Sequence, residues 1–228
     1  MAHIGTLREG PLHASLKQFC RQPEDRVEQP VDGYVVDLLR DDLIIEIQTR
    51  SFSAIARKMR DLVERHRVRL VHPVPRERWL VKLPKTGRGS PSRRRSPKNG
   101  GFELIFEELV SFPDLIGHDN FELEVLSTRE EEIQKFGQRK RRRRNGWTVV
   151  ERRLLEVADR LLIREVSDLA AFLPDGLPER FHTGDLAKAL GKPRAFAQKV
   201  TYCLRISGAL SIVGKEGNAL IYSRVDGA

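Results

Sequence analysis

Cysteine is scarce here: Cys20 and Cys203 are the chain's two thiols, and they lie far apart. They cannot build a Cys-rich zinc site, and the scattered histidines, among them His13, His66, His72, His118 and His182, add no cluster to complete one. Long apolar runs are missing too. No stretch of about 18 apolar residues exists, so nothing is expected to span a bilayer. The opening residues, MAHIGTLREGPLHASL, lack an apolar signal core. That points away from export and toward a reducing cytoplasm, or the nucleus in a eukaryotic host, with free and mostly buried thiols. There is no internal repeat, no Ser-His-Asp arrangement and no Gly-rich nucleotide loop.

What the chain does have is charge. Of its 228 residues, 32% are charged and the formal net charge is +9, beside a hydrophobic fraction of 39% that suffices for real cores. A basic surface gains free energy by releasing counterions from a phosphate backbone, so DNA, as a duplex, is the expected partner. An anionic membrane surface ranks behind it.

Two stretches break the pattern of ordered segments. PKTGRGSPSRRRSPKNGG, from Pro84 to Gly101, reads as a long basic loop. QRKRRRRNG, from Gln138 to Gly146, holds six consecutive cations from Arg139 to Arg144. Like charges at that density repel and resist packing, which places a domain boundary there. The expected organisation is an α/β domain over 1–137, a basic linker over 138–146 and a second domain over 147–228.

In the first domain, Leu12, Leu16 and Phe19 recur at helical spacing. GYVVDLLR (Gly33 to Arg40) and LIIEIQTR (Leu43 to Arg50) flank Asp41 and Asp42 and read as a β-hairpin. Ser53 to His66 reads as a helix with Ile55, Met59, Leu62 and Val63 on one face. Val68 to Val74 and Trp79 to Leu83 read as strands, Phe102 to Phe112 as a helix and Phe121 to Ser127 as a strand. That order describes a sheet covered by helices. In the second domain Trp147 to Ile163 is helical by pattern, and Val166 to Leu173 reads as a short helix stopped by Pro174. Thr183 is expected to cap a short helix that Gly191 ends. Arg194 to Ser207, after Pro193, reads as a longer helix ended by Gly208. Ala209 to Val213 and Ala219 to Val225 read as strands around the turn GKEGN.

The segment from about Trp147 to Val225, with TGDLAKALG, KPRAFAQKVTYCLRISGAL and SIVGKEGNALIYSRV, resembles the winged helix-turn-helix family. The resemblance implies that the longer helix enters the major groove while the wing touches backbone. Lys192, Arg194, Gln198 and Lys199, with Thr201, are then the candidate readers, and Lys215 at the wing tip a phosphate contact. Phe196, Val200, Cys203 and Leu204 fall on the core-facing stripe. Most surface cations only solvate a face, and winged helices also serve as interaction modules. The run Arg139, Lys140, Arg141, Arg142, Arg143 and Arg144 reads first as a linker that grips phosphate without reading sequence, with a nuclear-localisation signal or a solvated spacer as the alternatives. Arg93, Arg94 and Arg95 are expected to clamp a phosphate beside the helix at Phe102, or else to lie in a solvated loop.

The hairpin VDGYVVDLLRDDLIIEIQT carries the sharper expectation. With Asp41 and Asp42 as a two-residue turn, Arg40 pairs with Leu43 and Asp37 lands opposite Glu46. Gln48 points to the same face. Two adjacent carboxylates among apolar strands repel, so Asp37→Asn is expected to stabilise a metal-free fold. Magnesium (Mg2+) or manganese (Mn2+) would relieve the repulsion. At these residues the chain resembles the PD-(D/E)XK, or restriction-endonuclease-like, nuclease superfamily, over roughly Leu12 to Ser127. The resemblance implies Asp37 and Glu46 as metal ligands, with Asp32 the alternative first ligand if Gly33 seats a bulge, and Glu28 joining through a water. Gln48 takes the place usually held by lysine. Arg50, Arg57 and Lys58 would approach phosphate or form the polar face of the following helix. The implied function is metal-dependent phosphodiester cleavage, with a winged helix holding the duplex. The alternative is a non-catalytic DNA-binding protein whose first domain dimerises or binds a partner, and RNA as the ligand is a third possibility.

Overall fold

Helix α1 (Pro11–Cys20) opens on a proline, whose missing N–H costs nothing in the first turn of a helix. Its Leu12 and Leu16, one turn apart, are buried. Strands β1 (Arg26–Val31), β2 (Tyr34–Arg40) and β3 (Leu43–Ile47) follow as an antiparallel meander. The β1–β2 turn places Asp32 and Gly33 at φ 47° and 82°, so Val31 pairs with Tyr34. The β2–β3 turn pairs Arg40 with Leu43, as the sequence predicts. The structure, a computed structural model, describes residues 9–86, 88–97, 99–137 and 146–225.

A 3-10 turn at Phe52–Ala54 and helix α2 (Ala56–Val63) lead into the 16-residue strand β4 (Arg67–Lys82), where the sequence suggests two strands. Strand β5 (Ser92–Arg95) lies within the expected basic loop and pairs with β4. The expected helix from Phe102 is instead a 3-10 turn, Phe102–Ile105, and a four-residue α3 (Phe106–Leu109). A further 3-10 turn, Pro113–Leu115, precedes the 16-residue β6 (Phe121–Phe136). Strand β7 (Trp147–Ile163) comes next, then helix α4 (Val166–Ala170) and strand β8 (Arg180–His182). Helices α5 (Thr183–Leu190) and α6 (Arg194–Ile206) and strands β9 (Leu210–Glu216) and β10 (Ala219–Arg224) complete the chain. The result is a mixed α/β protein. Its large sheet is seven-stranded, ordered β1-β2-β3-β4-β6-β7 with β5 on β4, and its small sheet is ordered β8-β10-β9.

The largest departure from the sequence reading is β7, expected as a helix and found as a 17-residue strand beside β6. Val150, Leu154, Leu155, Val157, Ala158 and Leu161 do recur at helical spacing. Pairing with β6 satisfies the backbone in another way, and Leu154 and Val157 pack against the core formed by Leu12, Leu16, Leu38, Leu43, Ile45, Ile47, Val71 and Leu126. Tertiary packing outweighs a weak local preference. β6 and β7 are sheet neighbours on either side of the basic run. Arg139 to Arg144 themselves lie outside the described residues.

By packing, the chain divides into two compact units, one drawn from Met1–Thr49, Val71–Phe102 and Val125–Leu161, the other from Arg50–Leu70, Glu103–Glu124 and Leu162–Ala228. The first is built on the α1-covered core above. In the second, the Phe52 and Phe112 rings stack at 5.1 Å, and Phe106 meets Phe172 edge-on at 5.3 Å. Phe181, Leu186, Val200 and Leu204 are buried in that unit as well. Among the described residues no helix is long and apolar enough to cross a membrane.

Candidate functional site

Across the β2–β3 hairpin, Arg40 pairs with Leu43, Leu39 with Ile44 and Leu38 with Ile45, and the paired residues stop one short of Asp37 and Glu46. That much follows the sequence reading. What surrounds Asp37 does not. His13 Nε2–H on α1 donates to Asp37 Oδ1 at 3.0 Å, and the Ile47 backbone N–H donates to Oδ2 at 2.8 Å. Asp37 therefore meets a cationic helix face. Along that face Glu9, just ahead of the helix, His13 and Lys17 stand four residues apart, and Lys17 Nζ lies 2.7 Å from Glu9 and 3.2 Å from Glu28. Glu28 sits opposite Asp37 with φ 51°, where the β1–β2 pairing skips a step. Burial pulls the His13 pKa down, but the Asp37 hydrogen bond and the charges of Asp37 and Glu9 outweigh it, and the net shift is upward. Sequence reasoning missed Glu9, His13 and Lys17. Their four-residue spacing on an amphipathic helix was the available signal.

Glu46 is buried within β3. Gln48 is anchored by its backbone: its N–H donates to the Val71 carbonyl at 2.9 Å, and its carbonyl accepts from His72 Nδ1–H at 2.6 Å. Burial is the chief cause that takes the His72 pKa down to about 4. Asp32 lies in the β1–β2 turn and not on a strand. Both Asp37 oxygens are engaged, and among the described residues no three His, Cys, Asp or Glu side chains converge as a metal-holding group. Asp37 is thus held by donors of the protein's own helix and strand.

The second candidate lies on α6. Pro193 precedes it, and Phe196, Val200, Cys203 and Leu204 are buried, as the spacing predicts. The opposite stripe, Arg194, Gln198, Tyr202 and Arg205, is exposed. These four residues, with Thr183, Asn218 and Leu220, line a cleft of about 350 Å³ between α6 and the β9–β10 hairpin. Of the expected readers, Arg194 and Gln198 belong to this face. Lys192 and Lys199 do not: they form ion pairs with Glu103 (2.9 Å) and Glu107. Thr201 is buried, its hydroxyl donating to the Gln198 carbonyl at 3.1 Å. Lys215 is exposed near the hairpin tip, in register with Leu220. Tyr202 and Asn218 were missed, and the sequence leaves Arg205 ambiguous. The four-residue step from Gln198 pointed to Tyr202, whereas Asn218 joins only through the hairpin fold. Arg57 is exposed and pairs with Asp61 on α2 at 3.6 Å.

The expected phosphate clamp is a strand. Arg93, Arg94 and Arg95 pair with Val81, Leu80 and Trp79 on β4. Arg93 donates to Glu131 at 2.7 Å, and Arg95 lies 3.1 Å from Glu77. They do not frame a helix N-terminus, because the segment from Phe102 is a 3-10 turn.

Fold and site together define a mixed α/β protein with an exposed, arginine-bearing helix face. Residues 10–164 match the family described as "Domain of unknown function (DUF8091)", and the chain belongs to that family. The match ends at the close of β7, so it covers the large sheet across the basic run. A protein of Treponema pallidum (strain Nichols), described as an uncharacterized protein, is 30% identical over 223 residues, covering 97% of this chain and 87% of that one. No solved structure matches.

Proposed function

We propose that this chain is a non-cleaving DNA-binding protein that holds duplex DNA on the exposed face of α6. The observation that carries the reading is the stripe Arg194, Gln198, Tyr202 and Arg205, open beside the β9–β10 hairpin. The order α4-β8-α5-α6-β9-β10, with the small sheet ordered β8-β10-β9, supports a winged-helix arrangement. Arg194 and Gln198 would then reach base edges while Arg205, Lys215 and Asn218 meet phosphate. The order α1-β1-β2-β3-α2-β4 along one sheet supports a restriction-endonuclease-like core. With Asp37 held by His13 and Ile47, that core serves as a scaffold in this reading.

The test is fluorescence anisotropy of the full chain on a labelled duplex across a salt series. Replacing Arg194 and Arg205 together by Ala should weaken binding by roughly ten- to a hundred-fold. It should also flatten the slope of log affinity on log salt by about 0.9 for each phosphate no longer neutralised. Lys192→Ala and Lys199→Ala should change little, since those lysines are committed to Glu103 and Glu107. Unchanged affinity in the double variant would sink the reading. Magnesium- or manganese-dependent cleavage of the duplex, abolished by Glu46→Ala, would replace it with the nuclease.

A further inference from the structure

The chain has two tryptophans, and both lie at one end of the large sheet. Trp79 is on β4 and Trp147 opens β7, beside Phe136, which closes β6. The Phe136 and Trp147 rings meet edge-on at 5.5 Å. Phe136 is 40% exposed, and the tryptophans are half-buried. Gly146, at φ 81°, makes this possible: a Cβ there would stand 2.7 Å from the Phe136 ring, too close to fit. The Gly137 N–H to the Gly146 carbonyl, at 3.0 Å, closes the strand ends beneath the rings.

Each ring carries a cation over its face. Lys82 Nζ lies 4.8 Å from the Trp147 centroid, Lys85 Nζ 4.5 Å from Phe136, and the Arg93 guanidinium 4.0 Å from Trp79. Arg94 and Arg95 are exposed on the adjoining β5. Aromatic faces alternating with long, mobile cations are what an unpaired nucleic-acid strand requires. Bases stack on the rings, and ammonium groups track the phosphates between them. A duplex cannot use such rings, because its base faces are already stacked on one another.

We propose that the ends of β4, β6 and β7 form a binding site for an unpaired nucleic-acid strand. Bases take over the faces of Phe136 and Trp147, and Lys82 and Lys85 move from ring to phosphate. Arg93, tied to Glu131, keeps the Trp79 face and fixes the edge of the site. The site is formed by residues of the first unit alone, and it stands or falls independently of the α6 face.

The experiment uses the full chain with labelled oligothymidylate and oligouridylate of about twelve nucleotides, within the span that such platforms cover. Because both tryptophans belong to the site, either oligonucleotide should quench tryptophan fluorescence. Phe136→Leu and Trp147→Leu retain apolar bulk but remove the stacking face, and each should weaken binding by roughly ten-fold with melting unchanged. Replacing Lys82 and Lys85 by Gln should reduce the salt slope by about 0.7 per phosphate released. The relative affinity of the two oligonucleotides then tells DNA from RNA as the preferred strand. The Arg194 and Arg205 double variant should retain oligonucleotide binding, and Trp147→Leu should retain duplex binding, so failure of one site is distinguishable from failure of the other. The proposal is overturned if neither oligonucleotide quenches, or if both leucine variants bind like wild type. It is equally overturned if duplex or anionic vesicles compete for the rings as well as the single strand does.

Discussion

His72, on β4, and His13, on α1, make opposite demands on pH. His72 is held neutral, with burial as the chief cause and its pKa at about 4. An unfolded His72 takes up a proton near pH 6.5, so its contribution is complete above that value and is lost as pH falls toward about 4. The amount at stake is about 3 kcal/mol. His13 is raised, so the stability it contributes is complete below about pH 6.5 and is lost as pH rises through its folded value. Denaturant midpoints measured from pH 7 down to pH 4.5 should therefore fall in the wild type and be nearly flat in His72→Gln. A slope on the acid side that survives in His72→Gln would discard this assignment. Asp37→Asn should destabilise the protein by about 1–3 kcal/mol near pH 6. That is the reverse of what two facing carboxylates would give, because the substitution turns one of the two oxygens that accept from the His13 and Ile47 N–H groups into a donor and removes the charge facing His13. Cys203 is fully buried, its thiol pushed up to about 12 chiefly by burial, while Cys20 is partly exposed. A thiol reagent on the native protein should label Cys20 and spare Cys203; rapid labelling of both would show that the α6 core opens.

At the scale of elements, β7 is held to β6 by a buried charge. Glu130 is fully buried, and Arg152 donates to it through Nε at 3.0 Å and Nη2 at 2.7 Å. Thr128 donates to its other oxygen at 2.8 Å. Arg152→Ala leaves that carboxylate buried without its cation and should lower unfolding free energy by about 3–5 kcal/mol. Pairing it with Glu130→Leu should recover most of the loss, and additive losses in a double-mutant cycle would refute the pairing. Helix α1 depends on apolar packing instead. Leu16 has no exposed surface, so Leu16→Ala should cost about 2–5 kcal/mol by chemical denaturation. A loss under about 1 kcal/mol would mean that α1 is only loosely docked.

On the scale of the whole molecule, the net charge of +9 draws any polyanion, and only placement of the cations separates binding faces from solvated ones. Many cations are already matched internally: Arg40 grips Asp25 through Nε at 2.9 Å and Nη2 at 2.8 Å, and Arg69 and Arg164 share Glu122. Magnesium or manganese at millimolar levels should leave the melting temperature unchanged, since the hairpin's Asp37 carboxylate is already satisfied by hydrogen bonds. A rise of several degrees that disappears in Asp37→Asn would restore the metal site.

The local patterns in the sequence settled much of this protein. Apolar residues at helical spacing marked α1, α2 and α6, and the Asp41-Asp42 turn fixed the β2–β3 register, because one-residue slips would turn Leu38 and Ile45 out of the core. The buried stripe of α6 was equally legible. Tertiary structure alone decided the rest. Trp147 to Ile163 has a helix-like pattern, and only the presence of β6 alongside makes it a strand. The separation of Arg194 from Lys192 and Lys199 depends on Glu103 and Glu107, far upstream in the chain, which no local pattern reveals. The role of Asp37 turned on the same limit: spacing placed it opposite Glu46, but its partner came from α1, through a hydrogen bond that exists only once the helix lies on the sheet.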